Sequence, residues 1–508
     1  MEKSGDQSGP TSPRVLFVTS EVAPLIKTGG LADVSAGLPR ALRESGVDVR
    51  LLVPGYPQIL FALRARRQIA MLPAYAGLPE ARLLAADGPN KLPLWVIECP
   101  ALYRRLGGPY ADNTGADWPD NYLRFGLLSH VAALLASNVS PLTWRPHVLH
   151  CHDWQAGLAP AYLHFLDAPA AASVLTIHNL AFQGIFPRPL LPELGLPASS
   201  FSVAGVEYHG SISFLKAGLF YADRITTVSP TYSEEIQTEP MGFGLQGLLA
   251  TRAQHLTGIL NGIDTQEWDP ASDAHLPSRY DAATLERKLA NKLALQERLG
   301  LRVDPEIPLL GMVTRLTYQK GIDLVLAIAP LLLSLGVQFA ILGSGDAALQ
   351  EALQVLAREH PGEMGIQLGY NEELAHWIEA GADMFLMPSR FEPCGLNQLF
   401  SQRYGTPPIV HATGGLADSV TDCVPATLHD GSASGFVFRH PDLEAFMAAV
   451  ARALRTYRDP QKFSIVQRGG MARDFAWRRS AAQYLSVYRS LGGALRSVQP
   501  VDWPAPQR

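Results

Sequence analysis

Three cationic side chains stand directly after apolar runs of the chain, where a phosphate-binding group would be useful. Arg315 and Lys320 follow the apolar run 308–314, and Lys27 follows the run 14–20. Such runs predict buried strands, and open α/β sheets bind ligands at the carboxyl ends of their strands. Lys and Arg stabilise the charge on a phosphate leaving group. We therefore predict a phosphate-binding site, the alternative for each side chain being a solvated surface charge.

Two glycine-rich turns share one sequence. Thr-Gly-Gly-Leu-Ala-Asp occurs at 28–33 and again at 413–418. In both places two glycines open a segment with helical spacing, and the backbone N–H groups of such a turn can face an anion. The repeat predicts two turns that serve one phosphate-bearing ligand. Alternatively, both turns are only tight connections between a strand and a helix.

Polar side chains follow two further apolar runs. His178 and Asn179 follow the run 173–177, and Glu392 comes just past the run 383–388. Hydrogen-bonding groups at the ends of strands suit the hydroxyl groups of a sugar. Glu392 could instead cap a helix over 395–404, and His178 could be a core histidine.

A histidine cluster raises the question of a metal. His147, His150 and His152 precede Asp153 and Trp154, and at strand spacing the last two histidines share a face, so zinc is one interpretation. No further ligand cluster accompanies them, and an Asp-Trp pair at a strand end also suits a sugar. The sequence has no Asp two positions from another Asp and no phosphate-binding P-loop motif. We predict no metal and no cofactor.

Aromatic and acidic residues interleave between positions 103 and 154. Such a composition can stack on and hydrogen-bond a glucan chain, although core packing explains about half of these aromatic side chains. The residues are Tyr103, Tyr110, Asp112, Asp117, Trp118, Asp120, Tyr122 and Trp154.

Strands and helices alternate along both halves of the chain. This alternation predicts an α/β protein with parallel sheets, each half being one doubly wound domain. The apolar runs that predict strands are 14–20, 47–53, 148–151, 173–177 and 224–228 in the first half, and 308–314, 337–342, 365–368, 383–388 and 408–411 in the second.

An Asn-Gly turn signal at Asn261 and Gly262 marks the seam between the halves. We predict a disordered tail over 1–13, a first domain over 14–258, a second domain over 259–480, and a final segment over 481–508. The tail is polar and lacks the apolar core of a signal peptide.

Bulk properties exclude several classes of protein. A net charge of −5 gives no basic surface for nucleic acid. The four cysteines are far apart in sequence, which favours a reducing cytoplasm over a disulfide framework. The uncharged stretch 324–345 is interrupted by polar residues and proline, so we predict a helix ending near 335–336 and a buried strand over 337–342 rather than a membrane span.

Residues 343–348 match the G-x-G-x-x-A pattern of dinucleotide-binding sites. Alone, the pattern would indicate a dehydrogenase. It lies in the second strand unit of the second half, however, not the first, so NAD binding is the weaker interpretation.

Taken together, the motifs resemble those of the bacterial glycogen synthases and their plant starch synthase relatives. They cover nearly the whole chain, from about Arg14 to Tyr484, in the family's order. The matching segments are 27–34, 152–157, 176–184, 213–218, 261–264, 315–321, 389–396 and 413–418.

The resemblance implies the GT-B fold, in which two Rossmann-like domains face a deep cleft and a C-terminal helix returns to the first domain. It also implies a retaining, metal-independent transfer of glucose from ADP-glucose to an α-1,4-glucan. The catalytic set implied is His178, Arg315, Lys320 and Glu392. The residues implied to bind ADP-glucose are Lys27, Gly30, Asp33, Asn261, Tyr370, Cys394, Gly395, Leu396, Thr413, Gly414 and Gly415. For the glucan, the aromatic and strand-end patterns described above predict Tyr110, Asp153, Trp154 and Asn179.

Two departures from the family pattern are mild: Asn397 stands where relatives often have Thr, and His411-Ala412 where some have basic residues. Two alternatives remain open. One is another GT-B transferase that uses UDP-glucose or a different acceptor, and the other is a non-catalytic protein that binds glucan. The sequence gives no indication of oligomeric state.

Overall fold

The computed structural model describes residues 12–166 and 171–492, which form two compact units. Unit 1 comprises the chain up to Val228, Ser233–Gly262 and the chain from Trp477 onward. Unit 2 comprises Ser229–Tyr232 and Ile263–Ala476. The predicted tail over 1–13 lies outside the described residues except for Ser12 and Pro13, as does the end of the predicted segment 481–508.

Unit 1 is built on a nine-stranded sheet with the order β12-β11-β7-β6-β1-β2-β5-β4-β3 and on a small antiparallel sheet β8-β10-β9. The strands are β1 Arg14–Val18, β2 Asp48–Pro54, β3 Arg66–Leu72, β4 Ala81–Asp87, β5 Pro93–Glu98, β6 Val148–His152, β7 Ala172–Ile177, β8 Ile185–Pro187, β9 Glu207–Tyr208, β10 Ser211–Ser213, β11 Arg224–Thr227 and β12 Leu256–Gly258.

Helices flank this sheet, and the last helix of the chain packs on the first one. Unit 1 contains α1 Gly30–Glu44, α2 Pro57–Ala62, α3 Pro100–Tyr103, α4 Asn121–Leu135, α5 Ala159–Phe165, α6 Phe214–Tyr221, α8 Gln246–Thr251 and α18 Trp477–Ser490, while α7 Pro230–Glu235 begins in the short segment that belongs to unit 2. Gly37 of α1 accommodates this packing, since a Cβ atom there would lie 2.0 Å from the Trp477 ring.

Unit 2 contains one fully parallel sheet of six strands with the order β15-β14-β13-β16-β17-β18. The strands are β13 Leu309–Leu316, β14 Gln338–Gly345, β15 Met364–Leu368, β16 Met384–Met387, β17 Pro408–His411 and β18 Phe436–Phe438. The helices are α9 Lys288–Arg298, α10 Ile322–Ser334, α11 Ala347–Glu359, α12 Glu372–Gly381, α13 Asn397–Arg403, α14 Gly414–Ser419, α15 Pro425–His429, α16 Leu443–Tyr457 and α17 Pro460–Met471.

Burial explains why these strands read as continuous apolar runs. In β1 the four residues Val15–Val18 are fully buried, and in β14 so are the three residues Phe339–Ile341. Helices cover both faces of a parallel sheet, so alternate residues find apolar partners on either side. The predicted helix and strand within 324–345 are confirmed as α10 and β14, and no helix in the described ranges is long and apolar enough to cross a bilayer.

Both large sheets contain a point at which the strand order reverses. In unit 1, β1 lies between β2 and β6, and in unit 2, β13 lies between β14 and β16. The connections leave such a pair of strands in opposite directions, which opens a crevice at their carboxyl ends where ligands bind. The side chains after β1 and β6, and after β13 and β16, therefore lie where a ligand would bind.

Candidate active site

In unit 2, a cation and a carboxylate meet at the reversal point of the sheet. Lys320 follows β13 and Glu392 follows β16, and Lys320 Nζ lies 2.5 Å from Glu392 Oε2. Their side chains are only 15% and 8% exposed. Ser389 Oγ donates to the same carboxylate oxygen over 2.9 Å. Two of the predicted catalytic residues are thus one buried ion pair.

Arg315 stands beside this pair at the end of its strand. It lies within β13, one residue before the strand ends, rather than after it as the sequence analysis expected. Its side chain is exposed, and its guanidinium donates to Gln319 Oε1 over 3.3 Å. Gln319 in turn donates to the backbone oxygen of Phe391, the residue before Glu392. Arg315 is therefore accessible to an anion in solution and linked to the Glu392 loop.

The second glycine-rich turn packs tightly against the Glu392 loop. A Cβ atom on Gly414 would lie 2.1 Å from the backbone oxygen of Glu392, and one on Gly415 would lie 2.1 Å from that of Cys394. The Gly415 N–H group donates to the backbone oxygens of Glu392 and Pro393 over 3.2 Å each. This amide is engaged within the protein, so close approach of two backbones explains part of what the sequence analysis assigned to an anion.

The remaining residues predicted for the donor occupy varied environments. Cys394 and Thr413 are buried, Gly395 adopts a φ of 71°, and Leu396 precedes α13. Tyr370 is 72% exposed and follows β15, which is separated from β16 by two other strands. Asn261 is buried and belongs to unit 1.

In unit 1, the loop after β1 holds Lys27 and a buried acid. Lys27 Nζ lies 2.8 Å from Asp33 Oδ1, so two residues predicted for the donor form an ion pair across the Gly29-Gly30 turn. Glu21 is 2% exposed and accepts hydrogen bonds from the backbone N–H and the hydroxyl of Thr28. Glu21 is not among the residues predicted for the site.

The loops after β6 and β7 are tied together by Asp153. Its Oδ1 atom accepts from the backbone N–H of His178 over 2.7 Å and from that of Asn179 over 3.4 Å. Asp153 has a φ of 56°, a conformation that costs energy for a residue with a side chain and that often marks functional sites. Burial raises the pKa of its carboxyl to about 7, although the two N–H donors oppose the shift.

The histidines of β6 are packed inside the sheet. His152 Nδ1 lies 2.9 Å from His178 Nε2, and the two nitrogens of His150 face Thr176 Oγ1 at 2.6 Å and the hydroxyl of Tyr488 at 2.8 Å. Burial lowers the pKa of both His150 and His178 to about 3. Both ring nitrogens of His150 have side-chain partners, so these contacts do not favour the zinc interpretation.

The two aromatic residues predicted for the glucan lie near each other. The ring centroids of Tyr110 and Trp154 are 6.4 Å apart, and Trp154 packs edge-on against Phe125 at 4.8 Å. The Tyr110 hydroxyl donates to Glu21 Oε1 and lies 2.8 Å from Ser20 Oγ. The aromatic floor, by which we mean the rings of Tyr110 and Trp154, combines apolar faces with polar groups and suits the apolar face of a sugar ring.

Sequence reasoning missed Glu21, which accepts a hydrogen bond from Tyr110. Ser389 lay within a matching segment but was given no role, and it donates to Glu392. His152 was considered only as a zinc ligand, whereas it contacts His178. The sequence did contain a signal for Glu21, which is the one acidic residue between the apolar run 14–20 and the glycine-rich turn. A carboxylate at such a place is costly to bury unless hydrogen-bond donors surround it. The Glu21–Tyr110 contact spans 89 positions, and no local pattern reports it.

Comparisons with known proteins bear on this arrangement. Residues 14–251 match the family described as the starch synthase catalytic domain, and residues 296–468 match glycosyl transferases group 1. The chain is 56% identical over 481 residues to the glycogen synthase of Nitrosospira multiformis, covering 94% of this chain and 97% of that protein. It is 55% identical to that of Nitrosomonas eutropha, with 94% and 96% covered.

Solved structures agree. The catalytic domain of starch synthase IV from Arabidopsis thaliana, bound to ADP and acarbose, superimposes with a TM-score of 0.86 at 32% identity, covering 94% of this chain and 99% of that one. Sucrose-phosphate synthase from Thermosynechococcus elongatus gives a TM-score of 0.58 at 16% identity, which indicates a shared fold. The prediction of a GT-B glycosyltransferase with two Rossmann-like domains is confirmed, and the chain belongs to the glycogen synthase and starch synthase family.

Proposed function

We propose that this chain transfers glucose from ADP-glucose to the non-reducing end of an α-1,4-glucan, with retention of configuration and without a metal ion. The observation that carries the proposal is the buried Lys320–Glu392 pair at the reversal point of the unit 2 sheet, with exposed Arg315 beside it. The relative bound to ADP and acarbose supports both ligand classes.

Arg315 and Lys320 act on the leaving group. As the bond between C1 of glucose and the diphosphate oxygen breaks, negative charge accumulates on the departing nucleoside diphosphate. Fixed cations stabilise this charge more in the transition state than in the ground state, which lowers the barrier. Two cations supply the neutralisation that a divalent ion provides in metal-dependent transferases.

Glu392 binds the sugar and does not attack it. Its Oε2 atom is already held by the Lys320 ammonium group and by the Ser389 hydroxyl. A carboxylate neutralised in this way is a weak nucleophile but still a good acceptor for a glucose hydroxyl. The acceptor hydroxyl bonds to C1 on the face that the diphosphate leaves, and its proton passes to a departing phosphate oxygen, so the configuration at C1 is retained.

Unit 1 supplies the groups proposed for the glucan. Tyr110 and Trp154 offer the aromatic surface, and Asp153 orders the His178–Asn179 backbone. The imidazole of His178 is neutral at physiological pH because its pKa is lowered to about 3. A neutral imidazole exchanges hydrogen bonds with sugar hydroxyls without adding charge. We place the enzyme in the cytoplasm, in keeping with four buried cysteines that form no disulfide.

Incubating the purified protein with labelled ADP-glucose and glycogen tests the proposal. We expect label in the polymer, and faster incorporation from ADP-glucose than from UDP-glucose in a parallel reaction. Preferred use of UDP-glucose would replace the donor assignment. No incorporation from either donor would favour a glucan-binding protein without catalytic activity.

A further inference from the structure

Glu21 is a buried acid at the reversal point of the unit 1 sheet. It stands three residues after β1, and only 2% of the residue is exposed. A buried carboxylate is costly unless hydrogen-bond donors surround it. Glu21 lies at the crevice between β1 and β6, where ligands bind in such sheets. Its hydrogen-bond donors therefore indicate which parts of the site it connects.

One set of donors comes from the glycine-rich turn. The backbone N–H of Thr28 donates to Glu21 Oε2 over 2.5 Å, and the Thr28 hydroxyl donates to Oε1 over 2.6 Å. Thr28 lies between Lys27 and the Gly29-Gly30 turn that starts α1. Hydrogen bonds to a carboxylate are roughly twice as strong as hydrogen bonds between neutral groups. The two bonds from Thr28 therefore fix the backbone next to Lys27.

The other donor comes from the aromatic floor. The Tyr110 hydroxyl donates to Glu21 Oε1, the same oxygen that accepts from the Thr28 hydroxyl. Ser20, the residue before Glu21, contacts the Tyr110 hydroxyl at 2.8 Å. One carboxylate therefore touches both the loop assigned to the donor and a residue assigned to the acceptor.

We propose that Glu21 is a positioning residue. Its carboxylate fixes the Lys27 loop and Tyr110 relative to each other, which keeps the groups that bind donor and acceptor aligned for transfer. This inference rests on the proposed function. It differs from a merely structural role, because loss of Glu21 should slow turnover far more than it weakens the fold.

Glu21→Gln tests the positioning role with little change of volume. The amide nitrogen cannot accept a hydrogen bond from the Thr28 N–H group. One hydrogen bond to the loop is therefore lost, while the side chain still fills the same space. We expect kcat to fall about 10- to 100-fold, the range for losing one charge-assisted bond. KM for ADP-glucose should rise by less than kcat falls.

Asp223→Asn is the control for losing the same kind of hydrogen bonds in unit 1, at an exposed rather than a buried acid. Asp223 also accepts from a backbone N–H and a hydroxyl of one residue, Ser173, at 2.8 and 3.0 Å, but it does so at the amino end of β7. It should lower thermal stability and leave kcat unchanged. An equal loss of kcat in both variants, or wild-type kcat in Glu21→Gln, would overturn the positioning role.

Tyr110→Phe in combination with Glu21→Gln tests the coupling. If the carboxylate sets Tyr110, the double variant should lose much less activity than the product of the two single losses. Multiplicative losses would show that Glu21 acts on the Thr28 loop alone and would refute the coupling. An active wild type with unaffected variants refutes only this inference, whereas an inactive wild type refutes the proposed function with it.

Discussion

Arg315 and Lys320 differ in surroundings although they are assigned to one diphosphate. Arg315 is exposed and contacts a neutral amide, whereas Lys320 is largely buried against Glu392. Removing an exposed charge costs little folding energy, but removing one partner of a buried pair leaves the other uncompensated. Arg315 therefore gives the cleaner test of catalysis.

We expect Arg315→Ala to lower kcat 10²- to 10³-fold at saturating ADP-glucose, equivalent to about 3 kcal/mol, by analogy with a lost oxyanion donor. Thermal melts should stay close to wild type. Lys320→Ala should lose as much turnover and also melt earlier, because Glu392 keeps a buried charge.

Arg298→Ala serves as the surface control for both variants. Arg298 pairs with Glu373 at 2.9 Å on an exposed part of unit 2, and such pairs contribute little. Its kcat should match wild type. Near-normal turnover in Arg315→Ala, or an effect confined to glycogen binding, would show that Arg315 does not hold the leaving group.

At the scale of elements, the two copies of the Thr-Gly-Gly-Leu-Ala-Asp segment use their glycines differently. Gly29 has a φ of −166° and open space where a Cβ atom would lie. Gly414, its counterpart, has a φ of 43° and touches the Glu392 backbone. The acids differ too: Asp33 pairs with Lys27, whereas Asp418 accepts from Thr231. The two segments thus have the same sequence but are packed differently.

Gly414→Ala should therefore destabilise unit 2 by more than about 1 kcal/mol, because alanine is strained at positive φ and its methyl group collides with backbone. Gly29→Ala should keep the melting temperature of the wild type. Differential scanning fluorimetry of both variants checks this pair. Equal melting temperatures would contradict the packing argument.

The contact between β6 and α18 should make unit 1 sensitive to acid. His150 is fully buried, and burial lowers its pKa to about 3 from the ordinary value of 6.5. Between these values the unfolded chain binds a proton that the folded chain does not, so stability falls as the pH falls below 6.5. This group alone should remove about 1.4 kcal/mol per pH unit.

Melting temperatures measured from pH 7 to pH 5 check this dependence. His150→Gln should be less stable at pH 7, since the bonds to Thr176 and Tyr488 are disturbed, but its stability should fall less steeply with acid. A slope unchanged by the substitution would show that other groups dominate.

At the scale of the whole molecule, sequence predicted the framework better than the contacts. The runs 148–151, 173–177 and 224–228 became β6, β7 and β11 within a residue at each end, because strands buried on both faces leave a strong apolar signal. The strand-end rule likewise placed Lys320 and Glu392 where they meet. The antiparallel strands β3 and β4 were not predicted, since half-buried strands carry mixed side chains.

What sequence could not supply was the pairing of distant polar groups. Glu21 with Tyr110, His152 with His178, and His150 with Tyr488 are separated by 89, 26 and 338 positions. Each contact depends on strand order, and strand order follows from the packing of the complete domain. The family resemblance could suggest residue roles because it matches motifs along the whole chain and does not depend on local patterns.

The role proposed for Arg315 and Lys320 leads to a last prediction, that chelation leaves glucosyl transfer intact. Dialysis against EDTA should not lower kcat, because the leaving group is met by side chains already in place. Glu267, Glu372 and His376 of unit 2 offer ligand atoms within 4.8 Å of one another, so melting temperature should be recorded beside activity. A change in melting alone would indicate a cation with a structural role at such a group. Loss of activity in EDTA that one divalent ion restores would overturn the metal-free mechanism.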